Sequence, residues 1–397
     1  MAVFFDLSFD ALGGRFEFYD TYLADPRPHK LFMMTGIYVD AEGRCGAFES
    51  VRAAERQVLH GERSRDYLMP LGSKAFRDAV TELVFGAKCD LEVLTAQTPG
   101  GSAALRLLGQ AIALQEGRKL WLPRMTWGNH HRIFRHAGVT VEQYSYETQG
   151  QTRVNLGRAL DDLEAASPGD YVLFHGSCHN PTGIDLDASQ WSAAAEAIAR
   201  RSLIPVIDIA FLGYSLGIER ELDGVRALLK RCGHGIVALS LGKTFGLYNE
   251  RVGALLVTAP GGERLDGVHR VLEGLIRGLW SSPPAHGARL VTQVLATPSL
   301  RQSWEDHLEG ISRRIRAQRA RFVENMAQLG VRRDYGHVLR EAGLFTRTGL
   351  GADDTRWLRE HEGVYIGPSG YANLGVLTAP QLDYFCGRCA PLLRARA

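Results

Sequence analysis

The chain has 397 residues, 45% of them hydrophobic and 23% charged, with a formal net charge of +2 at pH 7. This length exceeds the usual size of a single core and predicts two domains, and the ordinary composition excludes a disordered chain. The nearly balanced charge gives no electrostatic case for a nucleic-acid or membrane partner. Six cysteines without dense spacing, and no apolar run of membrane-spanning length, predict reduced thiols in a cytoplasmic protein.

The order of apolar patterns predicts an α/β fold. After helices near residues 51–61 and 74–85, strand-like runs alternate with helices from LEVLTAQT to LIPVIDIAF. This alternation predicts parallel pairing with right-handed crossovers, and so a large domain over residues 50–300 with a mostly parallel central sheet. A long amphipathic helix follows from Leu300 to about Leu329. Residues 1–49 and 301–397 are predicted to form a smaller α/β domain with an N-terminal arm.

A lysine at a strand end is the first candidate for chemistry. The stretch IVALSLGKTFGLYNERVGALLV has a buried strand pattern that delivers Lys243 into loop residues, and a second apolar run follows Arg251. An amine that is partly desolvated beside another cation loses its proton readily and becomes a nucleophile. The alternative interpretation is a surface lysine in a loop between two strands.

Other polar residues stand at the ends of predicted strands: Asn180 follows one strand, Asp208 and Ser240 end two others, and Arg251 begins a fourth. In parallel sheets these ends gather at one edge, where ligands bind. The stretch Gly100, Gly101 and Ser102 opens a helix, whose first N–H groups suit a phosphate. Taken singly, these residues also fit a helix cap, a salt bridge or a turn. Together they provide an amine, an acid and a phosphate cradle, which is the set that pyridoxal phosphate requires.

The chain also resembles a known family. DYLMPLG, QTPGGSAALR, TWGNH, HNPTG, SLGKTFGLYNERVG and SSPPAHGARLV occur in this order along almost the whole chain. Together they resemble motifs of the aspartate and aromatic amino acid aminotransferases, which are fold type I enzymes that use pyridoxal phosphate. The resemblance implies that Lys243 forms the Schiff base with the cofactor and that Asp208 pairs with the pyridine nitrogen, with an α-carbanion or quinonoid intermediate.

The resemblance also implies roles for the other matching residues. Asn180 is expected to donate to the ring oxygen, Trp127 to stack on the ring, and His130 to support the aspartate from behind. Phosphate-binding positions are matched by Gly100, Gly101, Ser102, Ser240 and Arg251.

A homodimer with shared active sites is a further expectation from the family. Tyr67 is expected to reach the phosphate of the neighbouring subunit and to count among the catalytic groups, and Arg277 to reach across to the distal carboxylate of a dicarboxylic substrate. The substrate, an amino acid or a related amine, is also expected to contact Gly36, Trp127 and Asn180.

Three residues depart from the family pattern. Phe211 stands where the family has a tyrosine that donates to the ring oxygen. Tyr371 replaces the arginine that clamps the α-carboxylate of the substrate, and a neutral hydroxyl is a weaker ligand for that group than a guanidinium fork. Arg347 stands where relatives usually carry an aromatic residue. We therefore expect Arg347 to take over carboxylate binding, or to bind another anionic group of a different substrate.

Two-step amino transfer between an amino acid and a 2-oxo acid is the main functional prediction. The alternative is a diverged enzyme of natural-product biosynthesis that uses the same carbanion for β- or γ-elimination, replacement or carbon-carbon bond formation. A ligand-sensing regulator is disfavoured because no residues are left for a DNA-binding module. A binding-only protein is disfavoured because Lys243 and Asp208 are both present. No metal site is expected.

Overall fold

The computed structural model describes residues 15–61, 64–146 and 153–395. Its strands are β1 (Leu31–Phe32), β2 (Leu91–Thr98), β3 (Lys119–Pro123), β4 (Thr140–Tyr144), β5 (Tyr171–His175), β6 (Ile204–Ile209), β7 (Gly235–Ser240), β8 (Gly253–Pro260), β9 (Phe345–Arg347), β10 (Val364–Tyr365) and β11 (Tyr371–Asn373). Its α-helices are α1 (Arg15–Ala24), α2 (Glu49–Gly61), α3 (Lys74–Phe85), α4 (Gly101–Ala113), α5 (Asn129–His136), α6 (Leu156–Asp162), α7 (Ala188–Arg200), α8 (Ile218–Cys232), α9 (Leu241–Thr244), α10 (Asp266–Leu279), α11 (Ala285–Ala296), α12 (Pro298–Gln328), α13 (Ala352–Glu362) and α14 (Ala379–Arg394).

A seven-stranded sheet in the order β2-β8-β7-β6-β5-β3-β4 forms the centre of the fold. Strand β8 is antiparallel to both of its neighbours, and the other pairings in this sheet are parallel. The prediction of an α/β fold with a mostly parallel central sheet is therefore confirmed. Because β5, β6 and β7 run in the same direction, the residues that follow them collect at one edge of the sheet.

Helices cover the sheet with apolar side chains. The pattern of α4 buries Leu105, Leu108 and Ile112 against strand residues such as Leu122 and Ala238. In β5, every residue from Tyr171 to His175 is buried, which fits a strand that is covered on both faces. This packing makes the central strands a rigid support for the loops at their ends.

The chain divides into two compact units. The large unit consists of Cys45–Arg316 and Arg340–Leu344, and the small unit consists of the described residues up to 44, Ala317–Leu339, and those from 345 onward. This division lies inside α12, whereas the sequence-based boundary lies at residue 300. The difference arises because the first half of α12 packs on the large unit: the Trp304 indole stacks on Phe245 at a centroid distance of 4.5 Å.

The small unit has its own core and two short strand pairs. Strands β9 and β11 pair antiparallel, and β1 pairs with β10 in parallel. Its core includes Phe322 and Met326 from α12 and Phe385 and Leu382 from α14. Cys386 and Cys389 of the CxxC pair are free and buried in this core. Among the described residues, no helix combines the length and the apolar character needed to cross a membrane.

Candidate active site

The carboxyl ends of β5, β6 and β7 bring the predicted acid and lysine into one region of the large unit. Asp208, the second-last residue of β6, is paired with His175 at the end of β5 and with Ala238 in β7. Strand β7 ends at Ser240, and Lys243 follows in the single turn of α9. The register of three parallel strands therefore places a carboxylate and an amine at the same edge of the sheet.

The Asp208 carboxylate is buried and hydrogen-bonded. Its Oδ2 lies 3.0 Å from His130 Nε2, and the two side chains are 6% and 0% exposed. Burial acts to raise the pKa of Asp208, but the hydrogen bond with His130 and the positive charges nearby outweigh it and hold the pKa below its ordinary value. The Asp208 carboxylate is thus ionised at neutral pH although it is buried. A buried cation needs such a charged partner.

A chain of hydrogen bonds continues behind Asp208. His130 Nδ1 lies 2.7 Å from Thr126 Oγ1, and the same hydroxyl lies 2.9 Å from His175 Nε2. Burial, together with the charge of His130, lowers the pKa of His175 to about 3, so this ring is neutral at neutral pH. The half-buried Trp127 ring stands edge-on to His130, with centroids 5.4 Å apart. Neither Thr126 nor His175 was predicted from the sequence, although Thr126 directly precedes Trp127; His175 reaches the site because it is paired with Asp208 in the sheet.

The predicted phosphate cradle is assembled around the start of α4. Gly100 has φ +82°, and a Cβ atom there would lie 2.8 Å from Arg251 Nη2. A Cβ on Gly101 would lie 3.0 Å from the Ser240 Cβ, so the two glycines permit these approaches. Ser102 is in the first turn of α4, where the backbone N–H groups have no partner within the helix. These residues fit a phosphate because they combine the N–H donors of the helix start, the hydroxyls of Ser102 and Ser240, and the Arg251 guanidinium.

We expect Gly100→Ala to weaken the binding of pyridoxal phosphate about tenfold or more, because the added methyl group displaces the Arg251 guanidinium and strains the backbone by about 1–3 kcal/mol. Titration of the cofactor-free protein, followed by absorbance, measures this. Gly117→Ala is the matched control: Gly117 has φ +74° and nothing within 4 Å of the added Cβ. It should lower the melting temperature without changing cofactor affinity. If the two variants bound pyridoxal phosphate with equal affinity, Gly100 would not be part of the phosphate site.

The Lys243 segment is held by side chains that the sequence analysis did not identify. The Tyr214 hydroxyl donates to the Lys243 carbonyl oxygen at 3.0 Å, and Trp304 Nε1 donates to the Thr244 carbonyl oxygen at 2.8 Å. The carbonyl groups of a four-residue helix have few partners within the helix, and these two donors supply them. The Lys243 Nζ atom lies 4.8 Å from the Phe211 ring centroid. No pattern in the sequence marks Tyr214 or Trp304.

Asn180 lies in the loop after β5 and is half-buried. Its peptide bond to Pro181 is cis. The Asp185 carboxylate accepts hydrogen bonds from Cys178 N and His179 N, both at 2.8 Å, and thereby holds the loop in place. The predicted role of Asn180 toward a cofactor ring or a substrate stays a prediction.

Tyr67 and Arg277 are at the surface of the large unit. Tyr67 is 96% exposed. Arg277 is exposed at the end of α10, and its Nη1 donates to Ser281 Oγ at 3.1 Å. The family resemblance implies that both residues act in the site of a neighbouring subunit, and those roles stay predictions.

Two of the departures from the family pattern are directly opposite each other in the small unit. Tyr371 in β11 pairs with Arg347 in β9. In an antiparallel ladder, hydrogen-bonded and non-hydrogen-bonded residue pairs alternate. The adjacent pair, Thr348 and Gly370, is hydrogen-bonded, with Thr348 N donating to Gly370 O at 3.1 Å, so Tyr371 and Arg347 form a non-hydrogen-bonded pair. Their side chains therefore share one face, with Cβ atoms about 5 Å apart. Tyr371 is buried and Arg347 is half-buried.

Gly36 belongs to the same region of the small unit. The Asn373 side chain in β11 donates from Nδ2 to Thr35 O at 2.7 Å and to Ile37 O at 2.8 Å. These two bonds hold the backbone on both sides of Gly36 beside the strand that carries Tyr371. The small unit therefore gathers three predicted substrate-binding residues, and Asn373, which was not predicted from the sequence, holds the backbone beside one of them.

Comparisons with known proteins are consistent with one another. A family model described as aminotransferase class I and II matches residues 28–388. The chain is 36% identical over 372 residues to the aspartate aminotransferase of Escherichia coli strain K12, covering 92% of this chain and 94% of that protein. It is 38% identical over 369 residues to the aromatic-amino-acid aminotransferase of Pseudomonas aeruginosa, covering 92% of each. A crystal structure of the aromatic-amino-acid aminotransferase from Burkholderia pseudomallei, covalently bound to pyridoxal phosphate, superposes with a TM-score of 0.94 at 32% identity, covering 99% of this chain and 100% of that chain.

Proposed function

The chain belongs to the class I and II aminotransferase family, and we propose that it moves an amino group from an amino acid to a 2-oxo acid, with Lys243 as the residue that transfers the proton. The observation that carries this proposal is the buried, ionised Asp208, hydrogen-bonded to His130 at the sheet edge where Lys243 follows β7. Burying an ionised carboxylate that has no hydrogen-bond or charge partner costs a large amount of free energy, so a partner for Asp208 is expected. The large unit is the cofactor-binding unit in this proposal.

Pyridoxal phosphate is the cofactor of this fold type I family, and when bound it supplies an electron sink for the bonds of the substrate α carbon. The residues of this chain fit that group. The cradle of Gly100, Gly101, Ser102, Ser240 and Arg251 would hold the phosphate. Three further side chains would contact the ring: Asp208 at the pyridine nitrogen, Trp127 on the face, and Asn180 at the ring oxygen.

Lys243 would carry the proton that moves during the reaction. Its unprotonated Nζ would take this proton from the α carbon of the substrate as a general base and then return it as a general acid. The hydrogen bond from Tyr214 to its backbone oxygen supports this role because it holds the residue in one place. Phe211, which has no hydroxyl, packs at the Lys243 amine where the family has a hydroxyl donor.

For the substrate carboxylate, we propose Arg347 in place of Tyr371. The family pattern has an arginine at position 371 and an aromatic residue at 347, and this chain has the two types in exchanged positions. Because the positions are directly opposite each other on β9 and β11, the exchange keeps a guanidinium and an aromatic ring on one face of the strand pair. Gly36 on the neighbouring segment would contribute a backbone contact.

The remaining expectations rest on the family and on composition. A homodimer with shared sites is consistent with the exposure of Tyr67 and Arg277, which would act in the partner's site. None of the six cysteines, all of which lie in the described residues, forms a disulfide. A location in the cytoplasm stays a proposal. The alternative of β- or γ-elimination, replacement or carbon-carbon bond formation is not favoured, because the relatives are aminotransferases.

The test is to add single amino acids to the purified holoenzyme and to follow the absorbance of the cofactor. We expect at least one amino acid to convert the bound cofactor from its aldehyde to its amine form, and a 2-oxo acid to reverse the change. The panel should include acidic, aromatic and basic amino acids and related amines. Release of ammonia without the amine form would support elimination, and would contradict amino transfer.

A further inference from the structure

Glu221 has a buried carboxylate that accepts three backbone hydrogen bonds. It lies in the first turn of α8. Its Oε2 accepts from Gly213 N at 2.9 Å, and its Oε1 accepts from Ser215 N at 2.9 Å and from Leu216 N at 3.0 Å. All three donors belong to the segment of residues 210–217 that joins β6 to α8, which we name the β6–α8 loop. One side chain thus holds the backbone of this loop at three points.

The β6–α8 loop contacts Lys243 through two aromatic side chains. The Lys243 Nζ atom lies 4.8 Å from the centroid of the Phe211 ring. The Tyr214 hydroxyl donates to the Lys243 carbonyl oxygen at 3.0 Å and lies 3.3 Å from the Tyr248 hydroxyl. A displacement of the loop would therefore move groups that contact both the backbone and the amine of Lys243.

The loop has little freedom on its other side. Gly213 has φ +87°, and a Cβ there would lie 2.8 Å from Leu308 Cδ1 in α12. Arg316, also in α12, donates from Nη1 to Ser215 O at 3.1 Å. Helix α12 packs against one side of the β6–α8 loop, and the three hydrogen bonds to Glu221 restrain the loop backbone on the other side.

Burial makes the ionised form of Glu221 unfavourable. It raises the pKa of Glu221 to about 7, and the charge of nearby Asp185 acts in the same direction, although the backbone donors and Ser177 oppose the rise. Since this pKa in the folded protein lies above the ordinary value, ionisation of Glu221 removes stability as the pH rises through about 7. A neutral amide would avoid that loss, but it would leave one of the three loop donors without an acceptor. Buried ionisable groups with such a shift are concentrated at functional sites.

We propose that Glu221 is a positioning residue for Lys243, acting through the β6–α8 loop and the side chains of Phe211 and Tyr214. This inference rests on the proposed function, because it assumes that Lys243 transfers the proton. A misplacement of a reacting group by about 1 Å can cost up to about 10²-fold in rate. The role of Glu221 is therefore measurable in the chemical step, although the groups of the loop that donate to its carboxylate are backbone N–H groups.

The test is Glu221→Gln in the holoenzyme. A glutamine Oε1 can still accept two N–H bonds, but its Nε2 cannot accept, so one loop donor loses its acceptor. We expect kcat to fall about tenfold with little change in KM. The pH at which the absorbance of the bound cofactor changes should also shift, because that pH depends on the surroundings of Lys243. The melting temperature at pH 8 should stay within a few degrees of the wild-type value.

Glu219→Gln is the matched control, because Glu219 lies in the same turn of α8, is 69% exposed and pairs with Arg226. It should leave kcat and the spectral pH midpoint unchanged. Tyr214→Phe removes only the hydroxyl that reaches Lys243 and should shift the midpoint as Glu221→Gln does.

Two results would overturn the proposal. One is a Glu221→Gln enzyme with wild-type kcat and midpoint, whatever its melting temperature. The second result applies if Glu221→Gln does not fold: it is a Tyr214→Phe enzyme whose kcat and spectral pH midpoint equal those of the wild type. In both cases the wild-type enzyme would still transfer amino groups, whereas a wild-type enzyme that converts no amino acid would contradict the proposed function itself.

Discussion

Lys243→Ala is expected to lower the rate of amino transfer by about 10⁴-fold. The variant loses the amine that accepts and returns the substrate proton, and general acid-base catalysis contributes up to about this factor. The cradle around Gly100 and Arg251 remains, so the variant should still bind pyridoxal phosphate. The measurement is the rate at which an amino acid converts the bound cofactor to its amine form, followed by absorbance in a single turnover.

Two controls accompany this variant. Lys230→Ala removes an exposed lysine of the same unit, which pairs with Asp90 at 2.7 Å, and should leave the rate unchanged. Addition of a small primary amine should restore part of the rate of Lys243→Ala, since a free base can replace the missing side chain. If Lys243→Ala retained a rate within tenfold of the wild-type rate, another residue would be the proton carrier.

Arg347→Ala is expected to raise the KM for the amino acid about 10- to 100-fold. A hydrogen bond to a charged group contributes about 1.5–3 kcal/mol, and the neutral Tyr371 hydroxyl does not replace the lost charge. The binding of pyridoxal phosphate should not change, because its predicted ligands lie in the large unit. Steady-state kinetics with the best amino acid of the panel provide both kcat and KM.

The pairing of β9 with β11 offers a sharper variant of this experiment. Arg347→Phe combined with Tyr371→Arg restores the arrangement of the family, with the guanidinium on β11 and the aromatic ring on β9. We expect this double variant to bind ordinary dicarboxylic or aromatic amino acids more tightly than Arg347→Phe alone. The exposed Arg356, which pairs with Asp353, provides a neutral control as Arg356→Ala. An unchanged KM in Arg347→Ala would refute a carboxylate role for Arg347.

Much of the candidate site was predictable because its parts are local in the chain. The Gly100-Gly101-Ser102 turn is a helix start that can be read from adjacent residues, and its conformation follows from the absence of a Cβ atom in glycine. Lys243 and Asp208 stand at the ends of strand patterns, and parallel pairing places such ends at one edge. The family resemblance added the roles of Trp127 and Asn180, which no spacing argument could supply.

The amino-acid sequence alone was thus sufficient to predict the α/β class and the sheet edge, and to select the candidate lysine, the candidate acid and the candidate phosphate-binding turn. How these groups are held became clear only from the packing of the folded chain. Trp304 donates to the carbonyl of Thr244, 60 positions earlier in the chain, and the Glu221 carboxylate is satisfied by a loop whose fold no periodicity describes. Likewise, Arg347 faces Tyr371 only because β9 and β11 pair in one register. Hydrogen bonds and pairings between distant segments depend on how the chain packs, and the local patterns of apolar and polar residues do not encode them.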